Sequence, residues 1–192
     1  MQVENHRLQK EVEMRRVAMT AAAVFIMFLV GCAAHMRDPR EPNASLVYGY
    51  IDMDGAPSPL NFVSMRQYKP TSQGGRPYRE VKSVGELFWF DQLTPGSYQI
   101  TGFGGHAACL NISHIYSLPD FAKNQTAMTV EKPGLYFIGA FEYKREESFG
   151  SDKFSLIRTD SPSEKEVLEM LLPYSTGTQW EAKIKKRMET LK

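Results

Sequence analysis

The amino-acid sequence predicts a mainly β fold that is closed by two short C-terminal α-helices. Eight runs rich in β-branched, aromatic and aliphatic residues lie between residues 45 and 160, and turn residues such as glycine and proline separate them. After residue 160 the apolar residues change to helical spacing and two helix-start signals occur. Strands of this number and spacing favour an antiparallel Greek-key β-sandwich.

Each predicted strand is bounded by residues that accept a positive or a fixed φ, as at Asp54-Gly55 and Pro133-Gly134. The predicted strands are Leu46 to Asp52, Leu60 to Tyr68, Glu86 to Leu93, Ser97 to Phe103, Asn111 to Tyr116, Thr126 to Glu131, Leu135 to Lys144 and Lys153 to Arg158.

The C-terminal segment, residues 161–192, predicts two amphipathic helices. Ser161 is a capping hydroxyl, a proline follows at the first helical position, and Glu164 lies three residues after the cap. We expect Pro173 to end this helix. Thr178 and Glu181 form a second capping box. The predicted apolar faces are Val167, Leu168, Leu171 and Leu172 in the first helix, and Trp180, Ile184, Met188 and Leu191 in the second.

One segment, Phe88 to Ile100, carries the pattern F-x-x-L-x-P-G-x-Y-x-I. It resembles the hairpin of transthyretin-like (prealbumin-like) and carboxypeptidase-regulatory-like sandwiches, and residues 47–57 are similar to the first strand and turn of that class. Pro95 and Gly96 would form the turn, and Leu93 and Tyr98 would point inward. The resemblance covers about half of the chain after Cys32. It implies a fold but no function, because such sandwiches serve many purposes.

The N-terminal residues follow the order of a secretory signal. Arg15 and Arg16 precede an uncharged run over residues 17–30, and small residues follow. The tetrapeptide Leu29-Val30-Gly31-Cys32 resembles the lipobox of bacterial lipoproteins. The resemblance implies that residues 1–31 are a signal peptide and that Cys32 becomes the first mature residue. Its thiol would carry a diacylglyceryl group and its amine an acyl chain, with no other cofactor.

Two further expectations concern this N-terminal region. Residues 1–13 are charged and lie upstream of a complete signal, so we predict that translation starts at Met14. In a Gram-negative cell, Ala33 after the cysteine resembles the outer-membrane class of lipoproteins, which implies a protein facing the periplasm. The alternative is an uncleaved transmembrane helix over residues 17–34. Both interpretations place the rest of the chain outside the cytoplasm, because the arginine pair stays inside.

The predicted organisation is a signal peptide (1–31), a lipidated tether (32–44), a β-sandwich domain (45–160) and the helical segment (161–192). Residues 33–43 are polar and contain two prolines, which is typical of a tether. From Cys32 onward the chain carries 19 basic and 19 acidic residues. This balance excludes nucleic acid as a predicted partner, because such binding requires a concentrated basic face.

The strongest candidate for chemistry is the segment His106, Cys109 and His114, whose imidazole and thiolate groups could hold zinc or copper. Its spacing matches no established metal pattern, so a small buried thiol at Cys109 is the competing interpretation. No nucleophile with an adjacent base, paired acids or phosphate-binding loop is evident. We therefore predict a non-enzymatic, lipid-anchored module that binds another envelope component, with a small-ligand or metal-binding lipoprotein as the alternative.

Overall fold

The computed structural model describes residues 35–69, 78–107, 112–118, 125–146 and 153–191. The elements are β1 (Ser45–Asp52), β2 (Phe62–Lys69), β3 (Tyr78–Lys82), β4 (Leu87–Leu93), β5 (Gly96–Ala107), β6 (Ile112–Ser117), β7 (Ala127–Val130), β8 (Leu135–Glu146), β9 (Lys153–Thr159), α1 (Glu164–Ser175) and α2 (Gln179–Thr190). The mainly β class with two C-terminal helices is thereby confirmed. Neither described helix has the length and apolar character needed to span a membrane.

The strands form two sheets. The first sheet has the order β4-β1-β8-β9; the second has the order β3-β2-β5-β6, and β7 also pairs with β5. In the first sheet β1 runs parallel to β8, with Leu46 opposite Leu135 and Asp52 opposite Glu142. The prediction of a wholly antiparallel arrangement is therefore wrong for this pair. Strands that are distant in the chain can pair in either direction, and local sequence does not encode the choice.

Strands β1 and β4 of the first sheet are buried on both faces. Val47 and Ile51 of β1 point toward the second sheet, where apolar residues of both sheets share one core. Leu46 and Tyr48 point the other way and pack against α1 and α2 in a second core. This explains why β1 and β4 are almost continuously apolar, because a strand covered on both faces has no polar side.

The connection from β4 to β5, residues 94–95, joins the two sheets. Strand β4 pairs with β1, whereas β5 pairs with β2, β6 and β7, so the predicted hairpin is instead a crossover. The inward position predicted for Leu93 and Tyr98 is confirmed, since both are at most 2% exposed. The Tyr98 hydroxyl donates a hydrogen bond of 2.6 Å to the Thr94 carbonyl oxygen, which holds the chain across the turn.

The helix boundaries differ from the prediction by about one half-turn. Ser163, rather than Ser161, caps α1, and it forms a reciprocal capping box with Glu166. Helix α1 continues through Pro173 to Ser175, so this proline does not end it. In α2 the Thr178 side chain caps the helix as predicted. The Glu181 carboxylate, however, accepts a hydrogen bond from the N–H of Gly177, not from that of the cap residue Thr178.

Residues 35–44, which we call the strap, were predicted to be part of a free tether but lie against the folded domain. Met36 is 1% exposed, and its N–H donates to the Tyr174 carbonyl at 2.9 Å. Asp38 accepts a hydrogen bond of 2.7 Å from the N–H of Gln179, at the start of α2. The folded unit therefore begins before the predicted boundary at residue 45. The strap has no hydrophobic period because individual contacts with distant residues hold it in place, not one continuous apolar face.

Candidate functional site

Several residues predicted to be functional fall in segments outside the described residues. These are Leu29, Val30, Gly31 and Cys32 of the lipobox-like motif, and Cys109 of the candidate metal segment. Lipidation at Cys32 and metal binding that involves Cys109 therefore stay predictions.

The two histidines of the candidate metal segment lie on neighbouring strands but on opposite faces of the second sheet. His106 of β5 is opposite Ser113 of β6, and its Nδ1 lies 3.2 Å from the Ser113 hydroxyl. His114 is opposite Gly105, so its side chain points to the other face. Zinc requires every ligand nitrogen within about 2.1 Å of the ion. One ion therefore cannot bind both rings in this register.

A cleft of about 440 Å³ opens between the sheets, where the last strands of both sheets, β6 and β9, lie near each other. It is lined by Pro57, His114, Ile115, Tyr116, Tyr143, Arg145, Lys153 and Phe154. We call it the β6–β9 cleft. Its volume lies within the range typical of ligand pockets. Of the residues predicted to be functional, His114 is the one that the structure places here.

Aromatic rings form the inner wall of the β6–β9 cleft. Tyr116 stacks on Phe103 with ring centres 5.1 Å apart, and its ring lies 5.0 Å from those of both Tyr143 and Phe154. Phe103 is fully buried, so the cluster is continuous with the core between the sheets. The rings are held by their neighbours, which gives the cleft a preformed apolar wall.

The outer part of the cleft is basic. Arg145 and Lys153 line it and are exposed, and His114 also lines the cleft. Arg145 shares a face of the sheet with Phe154, whereas Lys153 lies opposite Glu146 in the strand register. Ile115 in the adjacent edge strand is 68% exposed, an unusual position for a large aliphatic side chain. The arrangement suits a ligand that presents a negative charge next to an apolar group.

Sequence reasoning did not find this cleft. Taken alone, the aromatic residues predict core packing, and Arg145 and Lys153 resemble part of a solvated loop of mixed charge. The cleft forms because two strands that are distant in sequence end side by side. The one residue of unusual exposure is Ile115, and its neighbours His114 and Tyr116 line the cleft with it.

The chemistry that the described residues offer is binding. No group of three histidine, cysteine or carboxylate side chains able to hold a metal occurs within the described part of the chain. The cleft combines cationic hydrogen-bond donors with aromatic rings. Groups of these two kinds are the ones that proteins use to hold acidic ligands.

A second polar arrangement joins the helices to the first sheet. The Tyr48 hydroxyl donates to Glu164 Oε1 at 2.7 Å, and Arg187 donates to both oxygens of Glu164 at 2.9 and 3.0 Å. Burial, followed by the hydrogen bond and the negative charge of Glu164, raises the pKa of Tyr48 far above its usual range. This group links β1, α1 and α2, and its residues line neither of the two clefts found among the described residues. We therefore interpret it as structural.

The raised pKa of Tyr48 predicts a loss of stability in alkaline solution. The folded protein holds the phenol proton more tightly than the unfolded chain, so this contribution is complete below about pH 10, the ordinary pKa of tyrosine. Above that pH it falls by up to about 1.4 kcal/mol per pH unit. We expect Tyr48→Phe to flatten the dependence of the unfolding free energy on pH, measured by urea denaturation on both sides of about pH 10. The same slope in both proteins would contradict this assignment.

No family model matches this chain, and no curated protein matches it.

Proposed function

We propose that this protein is a lipid-anchored, non-catalytic module of the cell envelope, and that its β6–β9 cleft binds an acidic segment of another envelope protein. In a Gram-negative cell it would be an outer-membrane lipoprotein facing the periplasm. The observation that carries the binding proposal is the cleft itself, where an aromatic wall is combined with the cationic residues Arg145 and Lys153.

The proposed anchor is a lipid on Cys32. Its support is the signal-like order of the N-terminal residues and the lipobox-like tetrapeptide Leu29-Val30-Gly31-Cys32. A lipid with two or three acyl chains would hold the protein firmly, since each buried CH₂ contributes about 0.8 kcal/mol and one chain alone binds marginally.

We also propose that the domain is related to the transthyretin-like Greek-key sandwiches. The support is the pattern over Phe88 to Ile100, together with two sheets that share one core. The parallel pairing of β1 with β8 is a departure from the wholly antiparallel form. Sandwiches of this fold bind many kinds of partner, so we infer the partner from the cleft alone.

The metal-binding alternative receives less support than protein binding. His106 and His114 point to opposite faces of the sheet, so only one of them could join Cys109 at a shared ion. The His106 ring also lies within hydrogen-bond distance of the Ser113 hydroxyl, which already provides it with a polar neighbour.

A photo-activated crosslinking residue placed at Ile115 tests the partner proposal in intact cells. We expect one envelope protein to crosslink at this position, because Ile115 is exposed beside the cleft. Lys153→Glu in the same chain should lower the crosslinked yield about five- to tenfold, because it reverses a charge that the acidic segment would contact. The yield is measured by mass spectrometry of the crosslinked product.

Met170 provides the matched control position. It is a large hydrophobic residue, 37% exposed, on α1 in the helical layer. We expect the same crosslinker at Met170 to give no such product. The proposal is contradicted if both positions capture the same proteins, if Ile115 yields only uncrosslinked chain, or if Lys153→Glu leaves the yield unchanged.

A further inference from the structure

A second, smaller groove of about 290 Å³ lies where the strap runs beside β4 and the turn that follows it. Its lining residues are Arg37, Arg40, Glu41, Ala44, Gln92 and Thr94. The groove has room for a single phosphate-bearing group, and two of the residues that line it are arginines.

The backbone of the strap is held in place at this groove. The Arg37 N–H donates to the Asp91 carboxylate at 2.7 Å, and the Arg40 N–H donates to the Gln92 side-chain oxygen at 2.9 Å. The Gln92 amide returns a hydrogen bond of 2.8 Å to the Asp38 carbonyl. Both arginines are thus presented by fixed backbone, which lowers the entropy that a ligand must overcome.

The nearby acidic groups are directed mainly into the protein. Asp38 accepts the N–H of Gln179, and the Asp91 side chain is only 8% exposed. The Arg37 guanidinium approaches Asp91 at 3.4 Å yet remains 63% exposed, and Arg40 is also exposed. Glu41 is the single carboxylate that lines the groove among the described residues. Because Arg37 lies beside Asp91, the positive character of the groove depends mainly on Arg40.

We propose that this groove binds the phosphate of an anionic phospholipid head group. Guanidinium groups match phosphate oxygens in geometry and charge. The assignment to a membrane rests on the proposed anchor at Cys32, which lies four residues before the buried Met36 and so within about 14 Å of it even in an extended chain. The strap would then hold this side of the domain against the head groups in one orientation.

Vesicle binding by a chain without its lipid tests this inference. The protein is the chain from residue 32 to 192 with Cys32→Ser, which contains both hydrophobic cores and every described element. We expect it to cosediment with vesicles of phosphatidylcholine and phosphatidylglycerol but not with phosphatidylcholine alone. Arg37→Gln and Arg40→Gln should each weaken binding about fivefold, the effect of one basic residue at an anionic surface.

Glu41→Gln is the control of opposite sign, and it should strengthen binding because it removes the acidic group from the groove. Lys165→Gln, which alters an exposed cation on α1, should change binding by less than either arginine variant does. Melting curves of every variant show whether the fold is retained, and Arg40→Gln is the safer variant because Arg37 also contacts Asp91.

The inference is overturned if vesicles without phosphatidylglycerol bind equally well, or if the arginine variants bind like the parent chain. It is also overturned if inorganic phosphate, titrated by calorimetry, binds as tightly as the vesicles do, because the groove would then be a site for free anions. The protein used carries no lipid, so these outcomes are independent of whether Cys32 is lipidated in cells.

Discussion

Replacing Trp180 with alanine is expected to lower the free energy of unfolding by about 3 to 5 kcal/mol, the cost of removing a large buried aromatic side chain. Trp180 is completely buried in the core between the helices and the first sheet. Its Nε1 donates a hydrogen bond of 2.9 Å to the Arg37 carbonyl, and Lys183 Nζ lies 4.5 Å from the ring centre. One side chain thus joins α2, the first sheet and the strap.

The measurement is urea denaturation monitored by circular dichroism. The variant Trp180→Phe separates the contribution of the apolar contacts from that of the hydrogen bond. Phenylalanine keeps most of the apolar contact but leaves the Arg37 carbonyl without its donor, so we expect a smaller loss, of about 1 to 3 kcal/mol. Met170→Ala, at an exposed position of α1, should change the unfolding free energy by no more than about 0.5 kcal/mol. A loss below about 1 kcal/mol in Trp180→Ala would show that the helices do not depend on this contact.

Replacing Cys32 with serine is expected to abolish lipid attachment completely. A hydroxyl is a much weaker nucleophile than a thiolate and does not take up the diacylglyceryl group as a thioether. The lipoprotein resemblance implies that the lipid is added before the signal peptide is removed, so the variant should also retain its signal peptide. Labelling of growing cells with radioactive palmitate, followed by mass spectrometry of the purified chain, measures both effects.

The sequence offers a matched control for this experiment, because it contains only two cysteines. We expect Cys109→Ser to incorporate palmitate like the unaltered protein and to begin at Cys32. The proposed anchor is refuted if the unaltered protein carries no label, or if Cys32→Ser is labelled as strongly as Cys109→Ser. The same experiment tests the predicted start at Met14, because a precursor that begins at Met1 would carry 13 additional residues.

Local patterns predicted most elements correctly because each element depends on the spacing of its own apolar residues. The strand β1 and the apolar faces of both helices, including Trp180 and Ile184, are in the structure as expected. Strand β3 (Tyr78–Lys82) was missed because three of its five residues are charged, so it has no apolar alternation. It exists through pairing with β2, which is separated from it in the chain.

The strap is a second feature that local sequence patterns did not predict, and it moves the start of the folded unit. Its polar sequence and two prolines are typical of a tether, and nothing in residues 35–44 encodes the distant groups that hold it. Those groups are Asp91 and Gln92 on β4, and Tyr174, Gln179 and Trp180 on the helices. Each contact spans at least 52 positions of the chain.

The sequence by itself determined the mainly β class, the two helices and the candidate lipid site at Cys32, because these depend on residues close together in the chain. Only the tertiary structure decided that β1 pairs in parallel with β8, that residues 94–95 lead from one sheet to the other, and that β6 and β9 enclose a cleft. The physical reason is that strand pairing and packing bring together groups far apart in sequence. The hydrophobic period of an element shows which of its faces is buried, but it does not show which other element packs against that face.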